Sequence, residues 1–156
     1  MPRKPPQDRA GDAAIYFRLL NEIGIIAQLS MARLERVLPH GLTVAQFSLL
    51  NHCVRLGDGW TPARLAAAFQ VTRGTMTNTL QKLEAKDFIR TETDMADARS
   101  KHVFLTPAGR AAREEALALL APELARLPEA LAPGEAAALI PPLEALRTWL
   151  DANRHA

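Results

Sequence analysis

The chain has 156 residues, of which 48% are apolar and 23% charged, with a net charge of +2 and a sequence pI near 9.0. This length and apolar content suffice for one globular domain, or a domain with an arm, that buries a core. A single cysteine excludes an internal disulfide, and with no apolar signal core and no run of membrane-spanning length we expect a cytoplasmic protein. The weak net charge leaves the charge distribution to decide whether the chain binds nucleic acid.

The N-terminal part combines a polar tail with a long helix. Residues 1–10 are rich in Pro, Lys and Arg, which predicts a disordered basic tail. From Asp12, as a cap, apolar residues at helical spacing predict one helix to about Leu38. These residues cover more than one face, so we expect the helix to contact both its own domain and a second subunit.

Two further helices begin at threonines. Thr43 and Gln46 have the spacing of a capping box, which predicts a helix start. Residues 57–59, Gly-Asp-Gly, predict the turn after this helix. At Thr61 and Pro62 the next helix is expected to begin, because threonine oxygen accepts backbone N–H groups and proline is tolerated at the first helical position.

A fourth helix is predicted over residues 72–86, capped by Thr72, with an apolar stripe at Met76, Leu80 and Leu83. The opposite face and its edges carry no acid between Thr72 and Lys82. They hold Arg73, Gly74, Thr75, Thr77, Asn78, Gln81 and Lys82. Hydroxyl, amide and guanidinium groups can bond to base edges, and the absence of acids allows close approach to phosphates. The pattern therefore favours a DNA recognition helix.

After Asp87 the spacing of apolar residues changes from that of a helix to that of an extended strand. This change predicts a β-hairpin over residues 88–105 with a polar tip. The tip contains Asp94, Asp97, Arg99 and Lys101. Thr106 and Pro107 are expected to begin a fifth helix, and Pro133 a sixth that ends near Leu150.

Three motifs stand at fixed distances along the chain. They are TVAQ at residues 43–46, the segment LAAAFQVTRGTMTNTLQKLE, and DMADARS leading into FLTPAGR. Together they resemble the MarR (multiple antibiotic resistance regulator) family of winged helix-turn-helix regulators, over most of the chain. The resemblance implies a mostly α fold with a small β-wing. A DNA-binding lobe at residues 41–105 would be flanked by helices at 11–40 and 106–156 that form a dimerisation arm.

The function implied is that of a homodimeric repressor that binds a double-stranded DNA operator. The recognition helix would enter the major groove, and two copies would read a near-palindrome with half-sites about 10 bp apart. The side chains expected near base edges are Arg73, Thr75, Thr77, Asn78 and Gln81, with Gly74 allowing close approach. Those expected at phosphates are Thr61, Thr72, Lys82 and Lys101. Resemblance implies that Arg99 reaches into the minor groove and that Asp97 orients it.

Simpler interpretations of these residues stay open. Thr61 and Thr72 are first of all helix caps, and a phosphate contact would be an additional use of the same helix ends. The cations are alternatively solvated surface charge, and Asp97 alternatively pairs with Lys101 or Arg73.

The resemblance also implies a small aromatic or phenolic effector that shifts the population of dimers away from the DNA-binding form. A second hypothesis is a dimeric winged-helix protein-interaction module without specific DNA binding, and a third is an activator or architectural factor. Neither a nucleophile motif, a phosphate-binding glycine loop nor metal-ligand spacing is present, so we expect no enzyme activity, cofactor or metal. Cys53 is expected to be a small buried hydrophobe, with a redox sensor as the less favoured alternative.

Several positions depart from the family pattern. Asp87 stands where glycine is common, and aspartate enters the left-handed region at some cost. Asn78 stands where many relatives carry arginine. Asparagine favours adenine, whereas arginine favours guanine, so we expect adenine at the base pair that this position contacts. Pro122 and residues 141–142 lie inside predicted helices, where a proline costs about 3 kcal/mol, so a bent or broken arm is expected.

Overall fold

The computed structural model describes residues 9–95 and 100–153, which form a mostly helical fold with a two-stranded antiparallel sheet. The predicted fold class is thereby confirmed. The elements are α1 (Arg9–Val37), α2 (Val44–Leu56), α3 (Pro62–Phe69), α4 (Arg73–Ala85), β1 (Ile89–Thr93), β2 (Lys101–Leu105), α5 (Pro107–Leu124) and α6 (Pro133–Ala152). A short 3₁₀ turn at Leu127–Glu129 precedes α6.

The start of α1 differs from the sequence-based expectation. The helix begins at Arg9, so Asp12 lies in its first turn instead of at its cap. An acid in the first turn still interacts favourably with the helix dipole. Arg9 and Ala10 of the predicted tail therefore belong to the helix, and residues 1–8 lie outside the described part of the chain.

The chain divides into two compact units, residues 1–116 and 117–156. The core of the first unit draws on α2, α3, α4 and both strands. Its largest fully buried side chains are Leu49, Leu50, Cys53, Leu65, Leu83, Ile89 and Val103. In the second unit no residue of α6 is buried, and most of its large apolar side chains are exposed.

Threonine caps fix where three helices of the first unit begin. Thr43 and Gln46 form the predicted capping box, with reciprocal bonds of 3.3 Å and 3.2 Å. Thr61 and Thr72 each accept the backbone N–H three residues further on, at 3.3 Å and 3.1 Å. These bonds satisfy N–H groups that have no partner within the helix, so local sequence alone sets the three starts.

The junction between α4 and β1 depends on a left-handed residue and a close backbone approach. Asp87 has φ 58°, the left-handed conformation expected of the residue after this helix. Thr106 then bonds the start of α5 to this junction, since its hydroxyl donates to the Asp87 carbonyl and accepts the Gly109 N–H at 3.0 Å. A Cβ on Gly109 would lie 2.0 Å from the Phe88 carbonyl oxygen, so only glycine fits.

The interior prolines do not interrupt their helices. α6 runs through Pro141 and Pro142 without a break, and α5 ends two residues after Pro122. Of the expected bent or broken arm, the break is therefore wrong at these positions, and the bend stays a prediction. All three prolines are exposed, so water can bind the carbonyl groups that lose their helical N–H partner.

Candidate nucleic-acid interface

A shallow groove of about 390 Å³ lies where the start of α3, the start of α4 and the start of β2 meet. It is lined by Thr61, Pro62, Ala63, Arg73, Thr77, Ser100 and Lys101. The fold thus brings together Thr61, Arg73, Thr77 and Lys101, which the sequence analysis had singled out on separate elements. Among the residues that the structure describes, the lining contains two cations and no acid, a composition that suits a polyanion.

The outer face of α4 is polar and exposed, as the apolar stripe predicts. Met76, Leu80 and Leu83 are buried beneath it. The remaining predicted contacts are all exposed: Thr72, Gly74, Thr75, Asn78, Gln81 and Lys82. The amides of Asn78 and Gln81 are therefore available for base edges, which is the geometry that direct readout requires.

The threonine hydroxyls of α4 are already partly engaged. Thr77 donates to the Arg73 carbonyl at 2.8 Å, and the hydroxyls of Thr72 and Thr75 lie 2.9 Å apart. A hydroxyl that donates to its own helix keeps its oxygen lone pairs free. Thr77 is consequently set to accept a hydrogen bond, such as one from the amino group of adenine or cytosine.

The cations of this surface are not neutralised within the described part of the chain. Arg73, Lys82 and Lys101 are exposed and take part in no ion pair among those residues. Asp97 and Arg99 lie outside the described residues, so the minor-groove contact and its orienting acid stay predictions.

Arg64 is a cation near the groove that the sequence analysis missed. Its guanidinium lies over the Trp60 ring, 4.6 Å from the centroid, and the indole N–H is fixed by the Gly57 carbonyl at 2.8 Å. Arg64 occupies the third position of α3, where a capping box would have Glu or Gln and where a cation opposes the helix dipole. That local conflict is the sequence signal that could have found it.

Asp58 connects the turn before α3 to the C-terminal end of β2 and to α5. Its carboxylate accepts the Leu105 N–H at 3.1 Å and a bond from the Arg110 guanidinium at 3.3 Å. Both partners are distant in sequence, so only an acid between two glycines hinted at this role.

His102 on β2 joins the same turn to the wing. Its Nδ1 lies 2.9 Å from the Gly59 carbonyl oxygen and its Nε2 lies 3.2 Å from an Asp94 carboxylate oxygen. These partners raise the pKa of His102, the Gly59 bond having the larger effect and the Asp94 bond the next.

Neither Cys53 nor His52 has the environment of a reactive group. Burial, and then the charge of Asp58, raise the pKa of the fully buried Cys53 thiol to about 11, which confirms the expectation of a small buried hydrophobe. Burial lowers the pKa of His52, with Arg55 adding to the effect. Its ring packs at 4.7 Å against Trp60, consistent with a neutral imidazole.

Within residues 9–95 and 100–153, no cluster of three His, Cys, Asp or Glu side chains could hold a metal ion. None of the described helices is both long and apolar enough to cross a membrane.

A helix pair joined by a tight turn, the second helix with a free polar face, followed by an antiparallel hairpin, defines a winged helix-turn-helix protein. Residues 40–100 match a model of the MarR family. Together with the structural matches below, this confirms the resemblance seen in the sequence: the chain is similar to MarR-family proteins, and the family model matches its central part. The members of this family are transcription regulators and not enzymes.

Solved structures share the fold. Apo MarR from E. coli is 28% identical with a TM-score of 0.70, covering 82% of this chain and 95% of that one. BldR from Sulfolobus solfataricus is 26% identical with a TM-score of 0.71, covering 88% and 95%. A mutant of E. coli MarR complexed with operator DNA is 27% identical with a TM-score of 0.68, covering 90% and 99%. No curated protein matched the chain.

Proposed function

We propose that this chain is a homodimeric transcriptional repressor that binds a near-palindromic operator. In this proposal α4 enters the major groove and the wing, residues 88–105, follows the minor groove. The observation that carries it is the groove in which Thr61, Arg73 and Lys101 meet beside the exposed face of α4, and whose described lining residues include no acid. The similar E. coli MarR mutant complexed with operator DNA supports the part of the proposal that concerns DNA binding.

The contacts divide into two kinds in this proposal. Base edges would be read from α4 by Arg73, Thr75, Thr77, Asn78 and Gln81, with Gly74 giving the backbone room. Phosphates would be bound by Thr61, Thr72, Lys82 and Lys101, and the wing by Arg99 in the minor groove with Asp97 orienting it. Arg64 is a further phosphate candidate, because stacking on Trp60 already fixes its orientation.

Two exposed apolar surfaces support a dimer. On α1, Phe17 is 75% exposed and Ile26 63%. On α6, Ile140 is 54% exposed and Trp149 62%. Large apolar side chains in such number on one helix mark protein contact surfaces, and a two-fold dimer would present two copies of α4 about 10 bp apart.

A small aromatic or phenolic effector would relieve repression in this proposal. It would act by binding more tightly to a dimer whose two recognition helices are wrongly spaced for the operator, since only differential affinity can shift such an equilibrium. The family resemblance supports this part.

The deciding experiment is a fluorescence-anisotropy titration with DNA flanking the protein's own gene, beside scrambled DNA, at two salt concentrations. Arg73→Ala should weaken selective binding about 10-fold or more, and Lys101→Ala should weaken binding to all DNAs while lowering the salt slope by about 1. Arg55→Ala, an exposed arginine at the end of α2, is the matched control.

Equal and salt-labile binding to both DNAs would next require selection of binding sites from genomic DNA. If that selection also found no preferred sequence, the repressor proposal would be wrong and the protein-interaction module would replace it.

A further inference from the structure

His102 lies between two hydrogen-bond acceptors. Its Nδ1 faces the Gly59 carbonyl at 2.9 Å, and its Nε2 faces the Asp94 carboxylate at 3.2 Å. Neither an amide carbonyl nor an ionised carboxylate has a hydrogen to donate. Both bonds therefore exist together only when each ring nitrogen carries a hydrogen, which is the imidazolium form.

We propose that His102 is a positioning residue for the DNA-binding wing. When both of its ring nitrogens carry a hydrogen, it links Asp94, which follows β1, to Gly59 in the turn before α3. We call this link the tie, and loss of one proton breaks it. The inference rests on the proposed function, because it assigns a role in DNA binding.

The bond to Asp94 is the one that protonation controls. β2 is already held to the turn by backbone bonds of 2.9 Å, from Gly59 N–H to the Val103 carbonyl and from Val103 N–H to the Trp60 carbonyl. Gly59 therefore favours a neutral ring with its hydrogen on Nδ1. In that form the Nε2 lone pair faces the Asp94 carboxylate, so an attraction becomes a repulsion.

This tie is placed where it can affect the DNA-binding surface. The Asp94 N–H donates to the Ser100 carbonyl at 2.8 Å, which makes Asp94 and Ser100 neighbours across the wing. Ser100 and Lys101 line the groove, and Thr61, two residues after Gly59, lines it from the α3 side. The residue proposed for the minor groove, Arg99, lies in sequence between Asp94 and His102, the two residues that the protonation-dependent bond joins.

Within residues 9–95 and 100–153, the acids near His102 other than Asp94 are paired with arginines. Glu92 is its cross-strand partner, but the Glu92 carboxylate bonds to Arg90 at 2.7 Å, and Arg90 lies over Phe104. On the turn, Asp58 is engaged by Arg110 at 3.3 Å. Lys101, next to His102 on β2, projects to the opposite face of the hairpin. Of the carboxylates in the described part of the chain, Asp94 is thus the one in direct contact with the ring.

The sign of the pH effect follows from the raised pKa of His102. A group whose pKa is higher in the folded chain than in the unfolded chain stabilises the fold fully at pH values below its ordinary pKa, which for histidine is about 6.5. That stabilisation is lost as pH rises through the raised pKa. Wing order and DNA affinity should therefore fall together as pH rises through the titration of His102.

The first test uses the full chain without DNA. NMR titration between about pH 5 and 8 should show the Asp94 and Ser100 amide signals moving with the His102 ring signals. Asp94→Asn and His102→Gln should each abolish this shared transition. His40→Gln, which removes the histidine that contacts Glu115 at 2.7 Å, should preserve it. If His102 titrates at its ordinary pKa, or the two amides do not respond, the inference fails whatever the DNA result.

The second test repeats the anisotropy titration over the same pH range. Wild-type affinity should fall about two- to fivefold as His102 loses its proton, and the fall should persist in His40→Gln but vanish in Asp94→Asn and His102→Gln. An identical pH slope in wild type and Asp94→Asn would overturn the inference. Absence of selective DNA binding at any pH, with the shared NMR transition intact, would instead overturn the proposed function and with it the role of the tie in DNA binding.

Discussion

Cys53 shows how burial sets the chemistry of a single residue. Its thiol is fully buried and burial raises its pKa to about 11, so the nucleophilic thiolate is scarce at neutral pH. We expect a thiol reagent to modify the native chain at least about 100-fold more slowly than the unfolded chain. The measurement is the rate of modification in buffer and in denaturant. A native rate close to that of a free thiol would restore the redox-sensor alternative.

Gly109 is a residue that packing makes irreplaceable. Because a Cβ there would lie 2.0 Å from the Phe88 carbonyl oxygen, Gly109→Ala must displace the start of β1 or of α5. Urea unfolding should show a loss of about 3 kcal/mol or more. Gly134→Ala is the control, since nothing lies within 4 Å of its added Cβ. Equal stability of the two variants would mean that the backbone approach is not as close as described.

Asn78 is the residue we expect to set one base preference. Its amide can bond bidentately to adenine, whereas arginine does so to guanine, so Asn78→Arg should change the preferred base pair in each half-site. Competition between operators substituted at single positions should show a discrimination of about 1–3 kcal/mol at that pair. Ala45→Arg adds the same charge on α2 and should leave base preference unchanged. A preference unaffected by Asn78→Arg would remove Asn78 from the readout set.

At the scale of elements, the start of α3 carries a cation, Arg64, at a position where an acid would stabilise the helix better. Arg64→Glu would complete a capping box with Thr61 and suit the helix dipole, but would lose the stack on Trp60. The gain and the loss are each about 0.5–1 kcal/mol, so thermal unfolding should change little. DNA affinity should nevertheless fall, because an acid replaces a cation beside the groove. Arg64→Gln, which can also cap, should lower affinity less, and unchanged affinity in both would exclude a DNA contact.

For the whole molecule, the exposed apolar surface of α1 leads to a prediction about assembly. Ile26 is 63% exposed, and a charge placed there would be buried without a partner in a dimer. Analytical ultracentrifugation should show the wild-type chain as a dimer at micromolar concentration and Ile26→Glu shifted toward monomer. Gln28→Glu, which adds the same charge two residues away, should remain dimeric. A wild-type monomer would contradict the two-fold operator model.

The sequence by itself determined the features that depend on neighbours a few residues apart. Thr43, Thr61 and Thr72 cap helices because each oxygen reaches an N–H in the next turn. The stripe of α4 follows from helical geometry, and the left-handed Asp87 from the need to end that helix. These local interactions hold in any tertiary context, so sequence patterns report them directly.

Only the tertiary structure decided which distant groups meet. Asp58 finds Arg110, His102 finds Gly59, and Gly109 meets Phe88, because two elements pack at one particular distance and angle. Periodicity identifies which face of a helix or strand is apolar, but it does not specify that relative placement. The continuity of α6 through Pro141 and Pro142 likewise depends on whether water reaches the freed carbonyls, and that is a property of the fold.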